Sequence, residues 1–269
     1  MPLEPIHDAT DPRVADYRNV PDPELVERSG VFIAEGRLVV RRLLTGSRFR
    51  TRSVMVTSAA LASIRDVLEA RCDVPAYVVP QALMNEVTGF NIHRGCLAIG
   101  VRLPDTPWTS ITERARLVVV LERVGNADNI GSIFRHAAAF AADAVLLGPA
   151  SADPLYRKAI RTSMGAALSV PFASAHPWPD VLGSLRALGF TVLALTPHRS
   201  AAVLADAAQQ LHMQRVAVLL GHEGDGLTPE ALAHSTTRVR IPMAAGVDSV
   251  NVATAAAIAL YELTRGTER

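Results

Sequence analysis

Leu117-Val118-Val119-Val120-Leu121 is an unbroken apolar run, and it is followed by Asn126-Ala127-Asp128-Asn129-Ile130-Gly131-Ser132-Ile133-Phe134-Arg135. A run without alternation fits a parallel strand covered on both faces. The spacing from Ile130 to Ala141 fits a helix. The same alternation continues downstream. Ala144–Leu147 reads as a strand, 156–167 as helix or part loop, and Val181–Leu188 as a helix stopped by Gly189. Thr191–Leu195 and Val216–Leu220 read as buried strands. Thr228 and Pro229 suit the cap and first position of a short helix. Arg238–Ile241 reads as a strand and 250–263 as a long closing helix. Strands alternating with helices predict an α/β domain with a parallel sheet over 116–269.

Upstream, helices and strands also alternate. Ala34–Leu44 carries Leu38, Val39, Leu43 and Leu44 at helical spacing, Ser53–Val56 reads as a strand, and Leu61, Ile64, Val67 and Leu68 mark a second helix. A strand at 76–79, a helix at 81–86 and a strand at 96–101 complete a small α/β domain over 31–103. Pro104 and Pro107 make 104–115 a linker, with Trp108 free to pack on either domain. Residues 1–30, rich in proline and acids, read as a loosely held N-terminal arm with one short helix.

Composition excludes several classes. With 49% hydrophobic and 20% charged residues the chain is an ordinary globular one, and its net charge of +1 gives no overall attraction for nucleic acid. Local clustering differs: Arg37, Arg41, Arg42, Arg48, Arg50 and Arg52 fall in a stretch without an acidic residue. That stretch is either an RNA-binding surface or a solvated basic face. Lys158 is the sole lysine, so a preference for arginine by itself says little. Cys72 and Cys96 show no C-x-x-C or zinc spacing and fit a reducing compartment. No signal pattern or apolar run of membrane-spanning length is present, and a cytoplasmic protein is expected.

Three segments follow predicted strands, where ligands bind in open parallel sheets. In the first, Asn129 suits a helix cap, Gly131 allows close backbone approach, and Arg135 lies about one and two-thirds turns further on. Taken alone it is equally a plain cap with a surface arginine. The second is Leu220-Gly221-His222-Glu223-Gly224-Asp225-Gly226-Leu227. Its glycines leave backbone N–H groups accessible, but it is neither a dinucleotide fingerprint nor a Walker loop. Glu223 could hold the loop or accept from a hydroxyl, and no nucleophile pairs with His222. The third runs from Ile241-Pro242-Met243 through a small-residue loop to Ser249, Val250 and Asn251, with Ser249 placed as helix cap and the helix start open to a polar ligand. No metal-ligand cluster appears.

In order and spacing these segments resemble the three motifs of the SPOUT-superfamily RNA 2′-O-ribose methyltransferases of the SpoU/TrmH class: N-x-x-N-x-G-x-I-x-R, then G-x-E-x-x-G, then I-P-M followed by S-x-N-V. The 31–103 domain is similar to the substrate-binding domain that often precedes the catalytic one, through Ala34-Glu35-Gly36 with Val40 and Leu43. The resemblance implies a deep trefoil knot that general topology rules would not suggest. It also implies S-adenosylmethionine as cofactor without a metal, and homodimers joined through the closing helix. It assigns Arg135, Asn129, Glu223, Ser249 and Asn251 to catalysis, and Thr196, Gly221, Ile241, Met243 and Val250 to the cofactor pocket. Ala127, Ser132 and Val250 stand where proline, alanine and leucine are common. The acceptor expected is a ribose of structured RNA, with ribosomal RNA favoured over transfer RNA. A catalytically weak RNA-binding module of the same fold, a base methyltransferase and a nucleotide-binding oxidoreductase are the alternatives, the last disfavoured by the missing glycine fingerprint.

Overall fold

The computed structural model describes residues 3–18, 22–211 and 214–265. The chain first forms β1 (Leu3–Pro5), β2 (Val31–Glu35), α1 (Arg37–Thr45), β3 (Arg50–Val56), α2 (Ser58–Leu61), α3 (Arg65–Glu69), β4 (Ala76–Val78), α4 (Gln81–Thr88) and β5 (Cys96–Val101). There follow α5 (Trp108–Thr112), β6 (Leu117–Leu121), α6 (Ala127–Ala139), β7 (Ala144–Leu147), α7 (Arg157–Thr162), β8 (Phe172–Ser174), α8 (Asp180–Ala187), β9 (Phe190–Leu195), β10 (Ala202–Val203), α9 (Leu204–Gln210), β11 (Arg215–Leu220), α10 (Pro229–His234), β12 (Thr237–Arg240) and α11 (Val252–Thr264). Two compact units result: 1–104 with 154–169, and 105–153 with 170–269.

The first unit is a five-stranded mixed sheet in the order β1-β4-β3-β5-β2. One face carries Ile33, Met55, Leu97 and Ile99, packed with Val14, Tyr17, Leu25, Leu83 and Met84. The expected loose arm is thus built into the core. β1 pairs parallel to β4, and the Tyr17 hydroxyl shares a 2.8 Å hydrogen bond with Ser53 Oγ. Proline and acid content had masked the few apolar side chains that anchor it; residues 1, 2 and 19–21 of that stretch lie outside the described residues. The helix expected from Ala34 begins at Arg37, because Ala34 pairs with Ala98 in the sheet. Val39, Val40, Leu43 and Leu44 form its buried face, and Leu38 is 60% exposed. The second helix breaks into α2 and α3.

The segment 154–169, expected within the second domain, belongs to the first unit. The Arg157 backbone N–H donates to Asp22 at 3.0 Å, and the Arg157 guanidinium lies 4.6 Å from the centre of the Phe90 ring. The Arg48 N–H and Ser47 Oγ both donate to the Leu168 carbonyl. Gly165, at φ +82°, leaves room for the Arg42 side chain, whose Cδ would lie 3.2 Å from a Cβ there.

The second unit is a seven-stranded sheet in the order β10-β12-β9-β11-β6-β7-β8, parallel throughout. β11 and β6 lie at its centre, with Val218 opposite Val119 and Leu220 opposite Leu121. Val118 and Val120 face a core with Val181, Leu182, Leu185 and Ala231, and Trp108 packs on the same cluster. α11 packs against α6, α9 and β11. Cover on both faces explains the unbroken apolar runs. Among the described residues no helix is long and apolar enough to cross a membrane.

Gly100 pairs with Phe32 across β5 and β2, and a Cβ at 100 would overlap the Phe32 ring. Gly100→Ala is therefore expected to cost about 1–3 kcal/mol through overpacking, read as a lower urea midpoint at unchanged slope.

Candidate functional site

The paired ends of β6 and β11 set the site. Leaving β6, the chain enters α6 with Asn126 as cap, its Oδ1 accepting from the Asp128 N–H at 2.9 Å. The cap is therefore Asn126, not Asn129. Asn129 sits in the first turn, 8% exposed, where its amide is free to reach other segments. Its Nδ2 donates to Glu223 Oε1 at 2.6 Å, and its Oδ1 accepts from Asn251 Nδ2 at 2.9 Å. Asn251 in turn caps α11, its Oδ1 accepting from the N–H groups of Ala253 and Thr254. Ser249, expected to be that cap, lies two residues earlier. Asn251 serves better because one amide can both cap the helix and donate to Asn129. One polar chain thus links the three segments.

Beside it lies a cavity of about 260 Å³. Leu195 at the end of β9, with Thr196 and Pro197 after it, lines one side. Leu220 at the end of β11 and residues 221–224 and 226 of the loop that follows line another, and Ile241, Met243, Ser249, Val250 and Asn251 a third, with Val252 and Ala255 of α11. All five residues assigned to the cofactor pocket are in this wall, as are Glu223, Ser249 and Asn251. Ser249 Oγ has no hydrogen-bond partner among the described residues, so it can serve a ligand. Arg135 does not reach the wall. It is exposed on α6, and its guanidinium makes no hydrogen bond or ion pair among the described residues. The adjacent His136 is held below the usual imidazole range by burial and by the Arg135 charge.

The glycine loop is more ordered than its composition suggests. His222 and Gly226 exchange backbone hydrogen bonds of 3.1 and 3.0 Å. His222 Nδ1 accepts from the Gly224 and Asp225 N–H groups at 3.0 and 3.1 Å. The N–H groups expected to be free for a ligand at 224–226 are therefore spent inside the loop, and the imidazole organises it. A Cβ at Gly221 would lie 2.5 Å from Gly226 C and Leu227 N, so only glycine closes this hairpin. Among the described residues no group of His, Cys, Asp or Glu is arranged to hold a metal ion.

Glu122 escaped notice in the sequence. Its carboxylate is fully buried and accepts from Trp178 Nε1, Thr228 Oγ1 and the Thr228 N–H. The available signal was an acid directly after an apolar strand run.

The six arginines of 37–52 divide. Arg41 makes a two-pronged ion pair with Asp66 at 2.6 and 2.7 Å, and Arg52 pairs with Asp16 at 2.5 Å. Arg48 lies 4.8 Å from the centre of the Phe49 ring, and burial together with Arg102 pushes its guanidinium below the ordinary value. Arg37, Arg42 and Arg50 are exposed without an ion pair among the described residues. The acid-free stretch was acid-free only along the chain.

Asn129→Asp would set a carboxylate against Glu223 and remove a donor. It is expected to destabilise the protein by about 1–3 kcal/mol, with Glu223→Gln in the same chain restoring much of the loss in a thermal unfolding cycle.

Comparison with known proteins fits this geometry. Residues 116–261 match the SpoU rRNA Methylase family. An uncharacterised tRNA/rRNA methyltransferase of Mycobacterium tuberculosis (strain ATCC 25618 / H37Rv) is 45% identical over 98% of this chain and 93% of its own length. The 23S rRNA (guanosine(2553)-2′-O)-methyltransferase of Bacillus subtilis (strain 168) is 23% identical over 97% of this chain and 99% of its own. The crystal structure of an AdoMet-bound rRNA methyltransferase from Sinorhizobium meliloti superposes with a TM-score of 0.84 at 25% identity, covering 99% of both chains. By the family match across its second unit and the mycobacterial relative across nearly its whole length, the chain belongs to the SpoU rRNA Methylase family of RNA methyltransferases.

Proposed function

We propose that the chain methylates a ribose 2′-hydroxyl of ribosomal RNA in the cytoplasm, with S-adenosylmethionine as methyl donor. The observation that carries this is the joining of Asn129, Glu223 and Asn251, one from each motif, beside a single cavity. Ribosomal RNA is favoured over transfer RNA by the Bacillus subtilis relative, whose name gives 23S rRNA and 2′-O chemistry and which matches 97% of this chain. The Sinorhizobium meliloti neighbour is described as AdoMet-bound.

The wall suits that cofactor. Leu195, Leu220, Ile241 and Met243 offer apolar surface for a purine, while Thr196, Ser249 and Glu223 offer hydroxyls and a carboxylate for polar groups. Thr196, Gly221, Ile241, Met243 and Val250 would hold it. When bound, S-adenosylmethionine supplies an electrophilic methyl group on a sulfonium, so the reaction needs no metal. The chain's own residues then have to orient the acceptor and manage charge. Ser249 Oγ is assigned to orient the hydroxyl, with Asn251, whose amide is engaged with Asn129 and the start of α11, holding the segment that carries Ser249. A guanidinium is a poor proton acceptor because it stays protonated. Arg135 is therefore assigned to hold the RNA phosphate beside the acceptor ribose and to oppose the charge growing on its oxygen.

Arg37, Arg42 and Arg50 are assigned to RNA phosphates, whereas Arg41 and Arg52 are already engaged with Asp66 and Asp16. α11 is assigned to a homodimer contact, with Tyr261 on it 52% exposed. The knot implied by the resemblance would explain how the loop after β11 and the segment 241–251 come to share one cavity.

Calorimetry should show S-adenosylmethionine binding, and ribose-methylation mapping of total RNA with and without the gene should show one lost site. No binding, or a lost base modification instead, would defeat the proposal. Arg135→Lys should cut turnover by about 100-fold while leaving cofactor affinity within about threefold. Replacing Arg37, Arg42 and Arg50 together by Ala should weaken RNA binding and flatten its salt slope by about 2. Replacing Arg41 and Arg52 should do much less.

A further inference from the structure

Buried carboxylates are costly unless every lone pair is used. Glu122 is fully buried, makes no ion pair among the described residues, and accepts from three neutral donors. Trp178 Nε1 donates to Oε1 at 2.9 Å, Thr228 Oγ1 to Oε1 at 2.7 Å, and the Thr228 N–H to Oε2 at 2.9 Å. Its own N–H donates to the Leu220 carbonyl at 2.8 Å. Leu220 is the last residue of β11, and Thr228 is the cap of α10. One residue therefore holds both ends of the loop 221–227, its backbone the entry and its side chain the exit. That loop supplies His222, Glu223, Gly224 and Gly226 to the cavity wall. Trp178 fixes the clasp from behind. Its ring lies 3.2 Å from where a Cβ at Gly148 would stand, a slot that glycine alone leaves open.

Stability alone gives little reason for this clasp, since a buried carboxylate carries a desolvation cost that apolar packing would avoid. What an apolar side chain cannot do is fix Thr228 at two atoms. We propose that Glu122 is a positioning residue for cofactor binding, which holds the loop 221–227 in its ligand-ready shape by clasping Leu220 and Thr228. This rests on the reading that the cavity takes S-adenosylmethionine.

The test uses the full chain. Glu122→Gln keeps the volume but turns an amide N–H₂ toward a donor. It should raise the dissociation constant for S-adenosylmethionine by about 10-fold or more, while turnover at saturating cofactor stays within about twofold. Thr228→Val should weaken binding in the same direction, Thr228→Ser should restore it, and the double variant Glu122→Gln/Thr228→Val should be little worse than Glu122→Gln. Hydrogen exchange gives a readout that needs no ligand: amides of 222–226 should exchange faster in Glu122→Gln than in the wild type, relative to those of β6 and β11. If the wild type binds cofactor but the variants match it within about twofold, or if the two losses add fully, the clasp is wrong. If the wild type binds no cofactor, the reading of the cavity fails, and unchanged exchange in the loop would then sink the clasp independently. Should Glu122→Gln not fold, the Thr228 pair decides in the same way.

Discussion

The pairing of β6 with β11 is the constraint on which the second unit depends. Leu117–Leu121 lies in parallel register with Val216–Leu220, and both strands end at the same level. The two loops that follow therefore start side by side, although about a hundred residues of chain separate them. Asn129 and Glu223 can meet only because of this. A slip of one residue would move every side chain of the slipped strand to the opposite face of the sheet, and with both faces already packed such a slip has nowhere to go. Precision at the cavity is thus inherited from the sheet, and the hydrogen bonds among Asn129, Glu223 and Asn251 refine what the register has already aligned.

Elements with a strong local signature were legible in the sequence. The unbroken runs at 117–121 and 216–220, the Thr228-Pro229 helix start and the Gly189 stop all depend on short-range chemistry and appear as expected. What could not be read was long-range. The arm over 1–30 looked loose because prolines and acids dominate it, yet Val14, Tyr17 and Leu25 reach a core assembled from strands far along the chain. The segment 154–169 follows a strand of the second unit but pairs and packs within the first, through contacts such as Arg157 with Asp22 that no local pattern announces. Ala34 suits a helix by spacing and lies in β2 because Ala98 completes a ladder there.

The site shows the same division. Three motifs singled out candidate residues, but not what each touches. Asn129 and Ser249 both looked like caps, since small polar residues before an apolar run generally are. In the fold the caps are Asn126 and Asn251, each displaced by a few residues. The shift has a purpose in the geometry: Asn129, relieved of capping, is buried and spans to Glu223 and Asn251. Glu122 was invisible for the opposite reason. A single acid after a strand has no motif, and its meaning comes entirely from Thr228 and Trp178, brought to it by the sheet.

α6 also shows how one helix presents two unlike faces. Asn129 and Arg135 are about one and two-thirds turns apart, which puts them on different sides of the helix. Asn129 is drawn inward, and Arg135 stays exposed with its charge unspent. The same logic separates the arginines of the first unit. Exposed ion pairs such as Arg41 with Asp66 contribute little to stability, but they occupy a guanidinium that a phosphate would otherwise have to win from its carboxylate. Arg37, Arg42 and Arg50 carry no such debt. A large polyanion should therefore meet the chain first where charge is both exposed and uncommitted, which is a property of the folded surface and not of the arginine count along the chain.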